Sequence, residues 1–239
     1  MKRFAHRFRT LFPNVHRHGV GKVLYSAFLK ALARRLRLKV LRCHHVAQVA
    51  PAFVHVPPDY TVTFLAGNAI QELTSDPELE ISERFVEEAL EKGDKCLGLS
   101  HDGGLSAYSW YATSPTRFLP GLRLHFARDY VYMYKAFTRG TYRGRRLYPA
   151  GVMRALRHYR SIGYKGMLAY VEATNLDSLK SCGRMGFEIF GSIYVLEAFG
   201  RYFVYASPGC ARFGFYVADS LESAHAGLRP DEALRARSP

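Results

Sequence analysis

The stretch from Asp129 to Phe187 constrains the fold more than any other part of the chain. DYVYMYKAFT is mostly β-branched and aromatic and lacks Pro and Gly, so it predicts a β-strand. The glycine-rich loop TRGTYRGRRLYPAG follows, and its arginines are Arg139, Arg143, Arg145 and Arg146. Apolar residues then recur at helical spacing from Leu147 to Tyr159, with Pro149 in the first turn. The predicted order is therefore strand, cationic loop, helix.

This order suits the binding of a phosphate group. The free N–H groups of the first helical turn point into the loop, and the positive end of the helix dipole lies there too. A second unit of the same kind follows. KGMLAYVEATN (165–175) predicts a strand, and LDSLKSCGRMGF (176–187) predicts a short helix closed by Gly186.

Together the two units resemble the GCN5-related N-acetyltransferase (GNAT) family. In that family an R/Q-x-x-G-x-G/A loop binds the pyrophosphate of acyl-CoA, and an N-x-x-S/A…GF segment packs beside the pantetheine arm. Here the resemblance rests on YRGRRLYPAGVMRAL and NLDSLKSCGRMGF. The matching positions are Thr138, Tyr142, Arg143, Gly144, Leu147, Asn175, Ser178, Gly186 and Phe187.

Two departures from the family pattern concern the site. Arg146 and Tyr148 stand where the family has two small residues. Because glycine there lets the backbone approach the phosphates closely, Arg146 must either bind a phosphate itself or crowd the site. Cys182 stands where the family often has a tyrosine that protonates the departing thiolate.

The order of predicted elements agrees with the resemblance. After a first strand at Tyr60, the chain predicts two helices, a hairpin turning at Asp102-Gly103, and then the units above. We therefore expect an α+β, GNAT-like acyltransferase fold with a mixed central sheet of about seven strands and flanking helices. The expected division is a basic amphipathic arm and linker (1–58), the acyltransferase domain (59–207), and a short edge strand with a C-terminal tail (208–239).

The resemblance implies where an acyl-CoA donor, acetyl-CoA in the first instance, would bind. Main-chain atoms of Ala136, Phe137 and Thr138 would hold the pantetheine arm, beside Asn175, which caps the closing helix. The residues expected at the phosphates are Arg143, Gly144, Arg145, Arg146, Leu147 and Tyr148.

Acyl transfer to an amine also needs a base and a proton for the leaving thiolate. Glu172, at the end of the second strand, is the first candidate for the base, although an exposed structural carboxylate fits the same position. Tyr134, which shares a face with Tyr132, would position the acceptor or relay its proton, unless both rings serve the core. Cys182 would protonate the thiolate, or else only pack.

The net charge of +14 is unevenly distributed. Residues 1–58 carry +12 with no Asp or Glu, residues 59–102 carry −8, and residues 103–239 carry +10. The arm is predicted to become helical near Gly21, with an apolar stripe at Leu24, Tyr25, Phe28, Leu29, Leu32 and Leu36. Residues 1–45 therefore fit a helix at an anionic membrane surface, a terminal helix docked on the domain, or a cleaved targeting segment.

These observations leave several functions open. We expect an N-acyltransferase that uses acyl-CoA and an unidentified amine. The alternatives are an N-acyl amino acid synthase fed by long-chain acyl-acyl carrier protein, and a non-catalytic basic protein that binds membrane or, less expectedly, nucleic acid. The histidines lack partners at ligand spacing, so no metal is expected. We expect a cytoplasmic protein, with peripheral association at the inner membrane surface left open.

Overall fold

The computed structural model describes residues 16–219. The helices are α1 (Val20–Leu36), α2 (Asn68–Ser75), α3 (Glu83–Glu91), α4 (Leu147–Ser161) and α5 (Leu176–Arg184). The strands are β1 (Leu38–Val46), β2 (Tyr60–Phe64), β3 (Lys95–His101), β4 (Gly104–Ala112), β5 (Thr116–Leu119), β6 (Leu122–His125), β7 (Tyr130–Thr138), β8 (Gly166–Glu172), β9 (Glu188–Ala198), β10 (Arg201–Ala206) and β11 (Tyr216–Asp219). Short 3₁₀ turns lie at Pro51–Phe53, Pro77–Leu79, Gly140–Tyr142 and Pro208–Phe213.

The main sheet has eight strands in the order β10-β9-β1-β8-β7-β4-β3-β2. Every neighbouring pair is antiparallel except β7 and β8, which are parallel. A second sheet has the order β11-β6-β5. The expected α+β class with a mixed sheet and flanking helices is confirmed, and the main sheet has one strand more than the expected seven.

The extra strand is β1, which comes from the segment assigned above to the basic arm. It lies inside the sheet and pairs with β8 on one side and β9 on the other. Val40, Leu41, Cys43, His44 and Val46 are buried. Because Lys39, Arg42 and two histidines interrupt its apolar residues, the segment shows no clean alternation that would predict a strand. The arm therefore contributes to the core of the fold.

Helix α1 packs on the sheet through a face that differs from the predicted stripe. Val23, Ser26 and Leu29 are buried, and Ser26 Oγ donates to the carbonyl oxygen of Thr174 at 3.3 Å. Leu24 and Phe28 of the stripe are 64% and 59% exposed. Small Ser26 lets the helix approach the backbone beyond β8, and this contact turns most of the stripe toward solvent.

Two hydrophobic layers cover the sheet around β7. On one face α4 and α5 pack against Val131, Met133 and Met167. On the other, Tyr132 packs with the small sheet and the turn at Phe213. Gly151 allows α4 to lie close to β3, since a Cβ there would stand 2.8 Å from Leu99 Cδ1. The expected turn at Asp102-Gly103 is confirmed by φ values of 49° and 76°.

Candidate active site

The site begins where β7 and β8 diverge. Their parallel pairing runs from Tyr130–Gly166 to Met133–Ala169 and stops there, while β7 continues to Thr138. In the same region Trp110 of β4 faces both Tyr134 and Lys135 of β7, because the register changes between Ser109–Ala136 and Tyr111–Met133. This bulge bends β7 and leaves its end unpaired on the side toward β8.

A cleft of about 1120 Å³ opens at this divergence. It is lined on one side by Ala136, Phe137 and Thr138 of β7, and on the other by residues of α5. The start of α4 forms its end. N–H groups in the first turn of a helix have no intrahelical acceptor, so the cleft receives main-chain donors and the positive end of the α4 dipole.

The loop before α4 adopts left-handed backbone at two residues. Gly144 has a φ of 83°, which glycine adopts freely, and a Cβ there would meet nothing within 4 Å. Arg146, the residue before α4, has a φ of 63° and a ψ of 17°. The fold therefore retains at Arg146 the backbone that a glycine would favour, and the guanidinium is added to the wall of the cleft.

The four loop arginines separate into two pairs. Arg143 and Arg146 line the cleft. Arg139 instead bonds Asp76, Glu78 (2.6 Å) and the carbonyl oxygen of Leu105 (2.5 Å), which ties the loop to the acidic segment before α3. Arg145 lies 3.3 Å from Tyr60 Oη and stacks over Tyr142. Of the residues predicted for the phosphates, the structure thus turns Arg145 away from the cleft.

Asn175 caps the start of helix α5, and its Oδ1 accepts from the N–H of Ser178 at 3.1 Å. Lys180 and Arg184 of α5 add two cations to the cleft. Arg17 adds a third from the arm, since it pairs with Asp177 at 3.2 Å and its carbonyl accepts from Lys180 Nζ. The motifs do not predict these three cations, because the divergence of the strands and the path of the arm are tertiary features.

Tyr148 does not block the start of α4, although the family has a small residue there. Its hydroxyl lies 3.9 Å from Met133 Sδ, and the ring packs against the core beneath the helix. Burial, with the nearby Cys182 and Tyr111, raises its pKa well above the usual range. Tyr148 therefore lines the cleft while its ring packs against the hydrophobic core.

The predicted catalytic residues are not brought together. Cys182 is buried in the core under α5 and does not line the cleft, and burial raises the pKa of its thiol to about 12. Glu172 is exposed at the end of β8 opposite Leu41, outside the lining of the cleft. Tyr134 lies on β7 just beyond the last β7–β8 pair, two residues before Ala136.

Tyr134 belongs to a buried polar cluster that the sequence analysis missed. Its hydroxyl donates to Asp94 Oδ2 at 2.7 Å, and Lys92 Nζ lies 2.8 Å from the same oxygen. Asp94 is buried, and its Oδ1 has no hydrogen-bond partner among the described residues. Burial raises the pKa of Asp94, and the bonds from Lys92 and Tyr134 oppose that effect. Burial, and next the charge of Asp94, raise the pKa of Tyr134.

A second cavity of about 260 Å³ lies beside this cluster. Phe85, Phe118 and Tyr134 give it aromatic walls, and Glu88 and Lys92 give it charged ones. Tyr134 lines this cavity, and Ala136, which lines the cleft, is about 7 Å further along the same strand. Among residues 16–219, no group of three or more His, Cys, Asp or Glu side chains is placed to hold a metal ion.

Comparison with known proteins supports the fold. A GCN5-related N-acetyltransferase from Sphaerobacter thermophilus superposes with a TM-score of 0.52 at 13% identity over 76% of this chain and 56% of that one. A GNAT-family protein from Novosphingobium aromaticivorans gives 0.49 at 18% identity, over 67% and 64% of the two chains. The chain thus spans less than two thirds of the length of either protein. No family model and no curated protein matches the sequence.

The chain therefore has the fold of the GCN5-related N-acetyltransferases, as the resemblance predicted. The features that carry it are the diverging β7 and β8, the loop before α4, and α5 across the cleft. No helix of the described chain, residues 16–219, is long and apolar enough to cross a membrane.

Proposed function

We propose that this protein is an acyltransferase that moves an acyl group from an acyl-CoA thioester to an amine. The observation that carries the proposal is the cleft between the diverging strands, closed at one end by the start of α4 and lined by Arg143 and Arg146. Main-chain donors, a helix dipole and guanidinium groups converge there, and these are the groups that bind phosphate esters.

The charge and shape of the cleft fit the donor. The lining contains five cationic side chains (Arg17, Arg143, Arg146, Lys180 and Arg184) and one acidic side chain, Asp177. Beyond Met133 the side of β7 toward β8 is unpaired. An extended pantetheine arm can use those main-chain groups of Ala136, Phe137 and Thr138 that face away from β4, as an added strand would. The carbonyl oxygen of Thr138 already accepts from Arg143 Nε at 3.2 Å.

The reaction requires a neutral amine. Its nitrogen attacks the thioester carbonyl carbon, the new C–N bond forms, the C–S bond breaks, and the thiolate leaves as the amine gives up a proton. We assign the proton acceptor to Asp94, acting through the Tyr134 hydroxyl, since Tyr134 bonds Asp94, lines the second cavity and lies two residues before Ala136 of the cleft. Burial raises the pKa of Asp94, and a raised pKa makes a carboxylate a stronger base.

The second cavity would then receive the acceptor. Its rings suit an apolar body, and Glu88, which lines the cavity beside Lys92 and Arg117, can accept a hydrogen bond from an amino group. Long-chain acyl-acyl carrier protein is the alternative donor. A carrier protein presents a single phosphate, so it would need fewer of the five cations than CoA does.

The test of this assignment is turnover by Asp94→Asn and Tyr134→Phe. Thiol release from acetyl-CoA would be followed against a panel of primary amines. We expect kcat to fall by at least about 100-fold in Asp94→Asn, with the donor Kd unchanged. Tyr205→Phe, which changes an exposed tyrosine on β10, is the matched control. Full turnover by Asp94→Asn with unchanged melting temperature would eliminate this base and leave the donor site to be judged by binding alone.

A further inference from the structure

The exposed apolar side chains of this protein are concentrated on two neighbouring elements. Among residues 16–219, fourteen large hydrophobic residues are exposed. Five lie on α1, namely Val20, Leu24, Tyr25, Phe28 and Leu36. Five more lie on the β9–β10 hairpin, namely Tyr194, Leu196, Phe199, Phe203 and Tyr205. We call these ten residues the apolar face. Exposed apolar side chains that gather on neighbouring elements mark an interaction surface.

The two parts of the face are adjacent. Val40 of β1 packs against Leu29 of α1, and it pairs across the strands with Tyr194. Tyr194 in turn pairs with Tyr205, at a ring separation of 6.0 Å. Cross-strand partners share a face of the sheet, so the exposed rings of the hairpin lie on the side that carries α1.

The far end of α1 meets the tip of the hairpin. Arg37 directly follows α1, and its guanidinium bonds the carboxylate of Glu197 while its carbonyl accepts from the N–H of Glu197. Leu36 therefore lies near the turn at Phe199. The ion pair of Arg37 with Glu197 thus joins the two parts of the apolar face.

The side of α1 that faces solvent is apolar, whereas a helix that only docks on a domain has polar residues there. A surface helix normally turns polar residues to water. Here Val20, Leu24 and Phe28 follow one another at a spacing of four residues on the side opposite Val23, Ser26 and Leu29, which are buried. Ser26 and its neighbours attach the helix to the sheet, and residues 16–219 leave the apolar side of the helix that faces away from the sheet exposed.

The tip of the β9–β10 hairpin also exposes an apolar side chain, and the backbone there is strained. Phe199 is 98% exposed and has a φ of 53°, followed by Gly200 with a φ of 70°. Positive φ at both central positions is the pattern of a type I′ turn, where Asn, Asp or Gly is usual. An aromatic residue in that position costs folding energy, and residues 16–219 leave Phe199 almost fully exposed, so we infer a contact outside this part of the chain.

We propose that the apolar face lies in the interface of an anionic lipid bilayer. Residues 1–58 hold twelve Lys and Arg and no Asp or Glu, so the segment that supplies α1 is purely cationic. Around the face, Glu197 is neutralised by Arg37. Lys22, Lys30 and Arg35 of α1 are exposed. Aromatic and apolar side chains on a helix that also carries exposed cations are typical of binding at the headgroup level.

A second copy of this chain fits the face less well than a bilayer. Self-association through the same surface would bring two sets of arm cations together, and like charges across an interface weaken binding. An anionic bilayer supplies the opposite charge and also accepts Phe199. The proposal is independent of the donor cleft, which lies at the start of α4.

The test uses the full chain and sedimentation with vesicles of phosphatidylcholine, with and without phosphatidylserine. We expect binding to the phosphatidylserine vesicles and a loss of about tenfold in affinity for Leu24→Gln and for Phe199→Asn. Leu90→Gln removes an exposed leucine from α3 and is the matched control, with unchanged binding expected. Phe199→Asn also relieves the turn, so its melting temperature should rise while its binding falls.

Three results would overturn the proposal. The first is the absence of any sedimentation with anionic vesicles. The second is unchanged binding of the double variant Leu24→Gln/Phe199→Asn, which would mean a contact by charge alone. The third is a dimer in light scattering that the same two substitutions convert to monomer without vesicle binding, which would assign the face to a second copy.

Discussion

The side chain of Arg146 departs from the family motif, while its backbone keeps the conformation that a glycine would favour. Its φ of 63° is the left-handed region, which costs a side chain with a Cβ about 1 kcal/mol. The guanidinium lines the cleft, where a phosphate would repay that cost.

Substitutions at Arg146 separate these two effects. We expect Arg146→Gly to raise the free energy of unfolding by about 1 kcal/mol and to weaken acetyl-CoA binding. Arg146→Ala keeps the strained backbone and loses the cation, so it should weaken binding equally without the gain in stability. Urea unfolding and calorimetry would measure both quantities. Equal donor affinity in all three proteins would show that Arg146 makes no contact with the donor.

The buried side chain of His44 makes the free energy of unfolding depend on pH in the acid range. Its ring is buried on β1 beside Phe187, neither nitrogen has a hydrogen-bond partner among the described residues, and burial, with Arg42, lowers its pKa to about 4. The unfolded chain takes up a proton below pH 6.5, its ordinary value, while the folded chain does not until about 4. Stability should therefore fall by about 3 kcal/mol as the pH drops through that window.

His44→Leu removes the group and should flatten this part of the profile, as measured by urea unfolding between pH 7 and pH 4. His55→Leu changes an exposed histidine before β2 and serves as the control, with the wild-type slope expected. A wild-type slope in His44→Leu would mean that other groups, such as the carboxylates, carry the acid sensitivity.

Residues of the donor cleft could be predicted from sequence because they lie in one continuous motif. Ala136, Phe137 and Thr138 line the cleft, as do five of the six residues expected at the phosphates. The contacts of these residues with a donor remain predictions, as do the catalytic roles given to Glu172, Tyr134 and Cys182. The Tyr134–Asp94 pair could not be predicted, because forty residues separate the two and neither belongs to a motif.

At the scale of elements, β1 is the main difference between sequence and structure. It lies between β8 and β9 and supplies Leu41 and Cys43 to the core. Its position depends on pairing with strands more than a hundred residues away, and single-sequence periodicity carries no information on such partners.

The position of β1 predicts how the chain tolerates truncation. A chain starting at residue 59 loses the strand between β8 and β9, so we expect it to lack cooperative thermal unfolding. A chain starting at residue 37 keeps β1 and loses α1, so we expect it to fold with reduced stability. Circular dichroism and thermal melting would compare the two. A cooperative melt of the shorter chain would contradict the placement of β1.

At the scale of the whole molecule, the order of elements and the two motifs were enough to predict the fold. The divergence of β7 and β8 follows from a bulge whose register the sequence does not specify. The uneven distribution of charge distinguished residues 1–58 from the rest of the chain. In the structure, the described parts of this segment have three different positions. Arg17 joins the cleft, β1 joins the sheet, and α1 carries the outward apolar ridge.

The most direct measurement of the central claim is calorimetric binding of acetyl-CoA to wild type, Gly144→Ala and Gly144→Trp. Both variants place a side chain at a φ of 83°, but only the tryptophan is large enough to fill the cleft in front of the loop. We expect roughly micromolar affinity for wild type, similar affinity for Gly144→Ala, and loss of binding for Gly144→Trp. Unchanged binding by folded Gly144→Trp, or no binding of acetyl-CoA by wild type, would contradict the donor site.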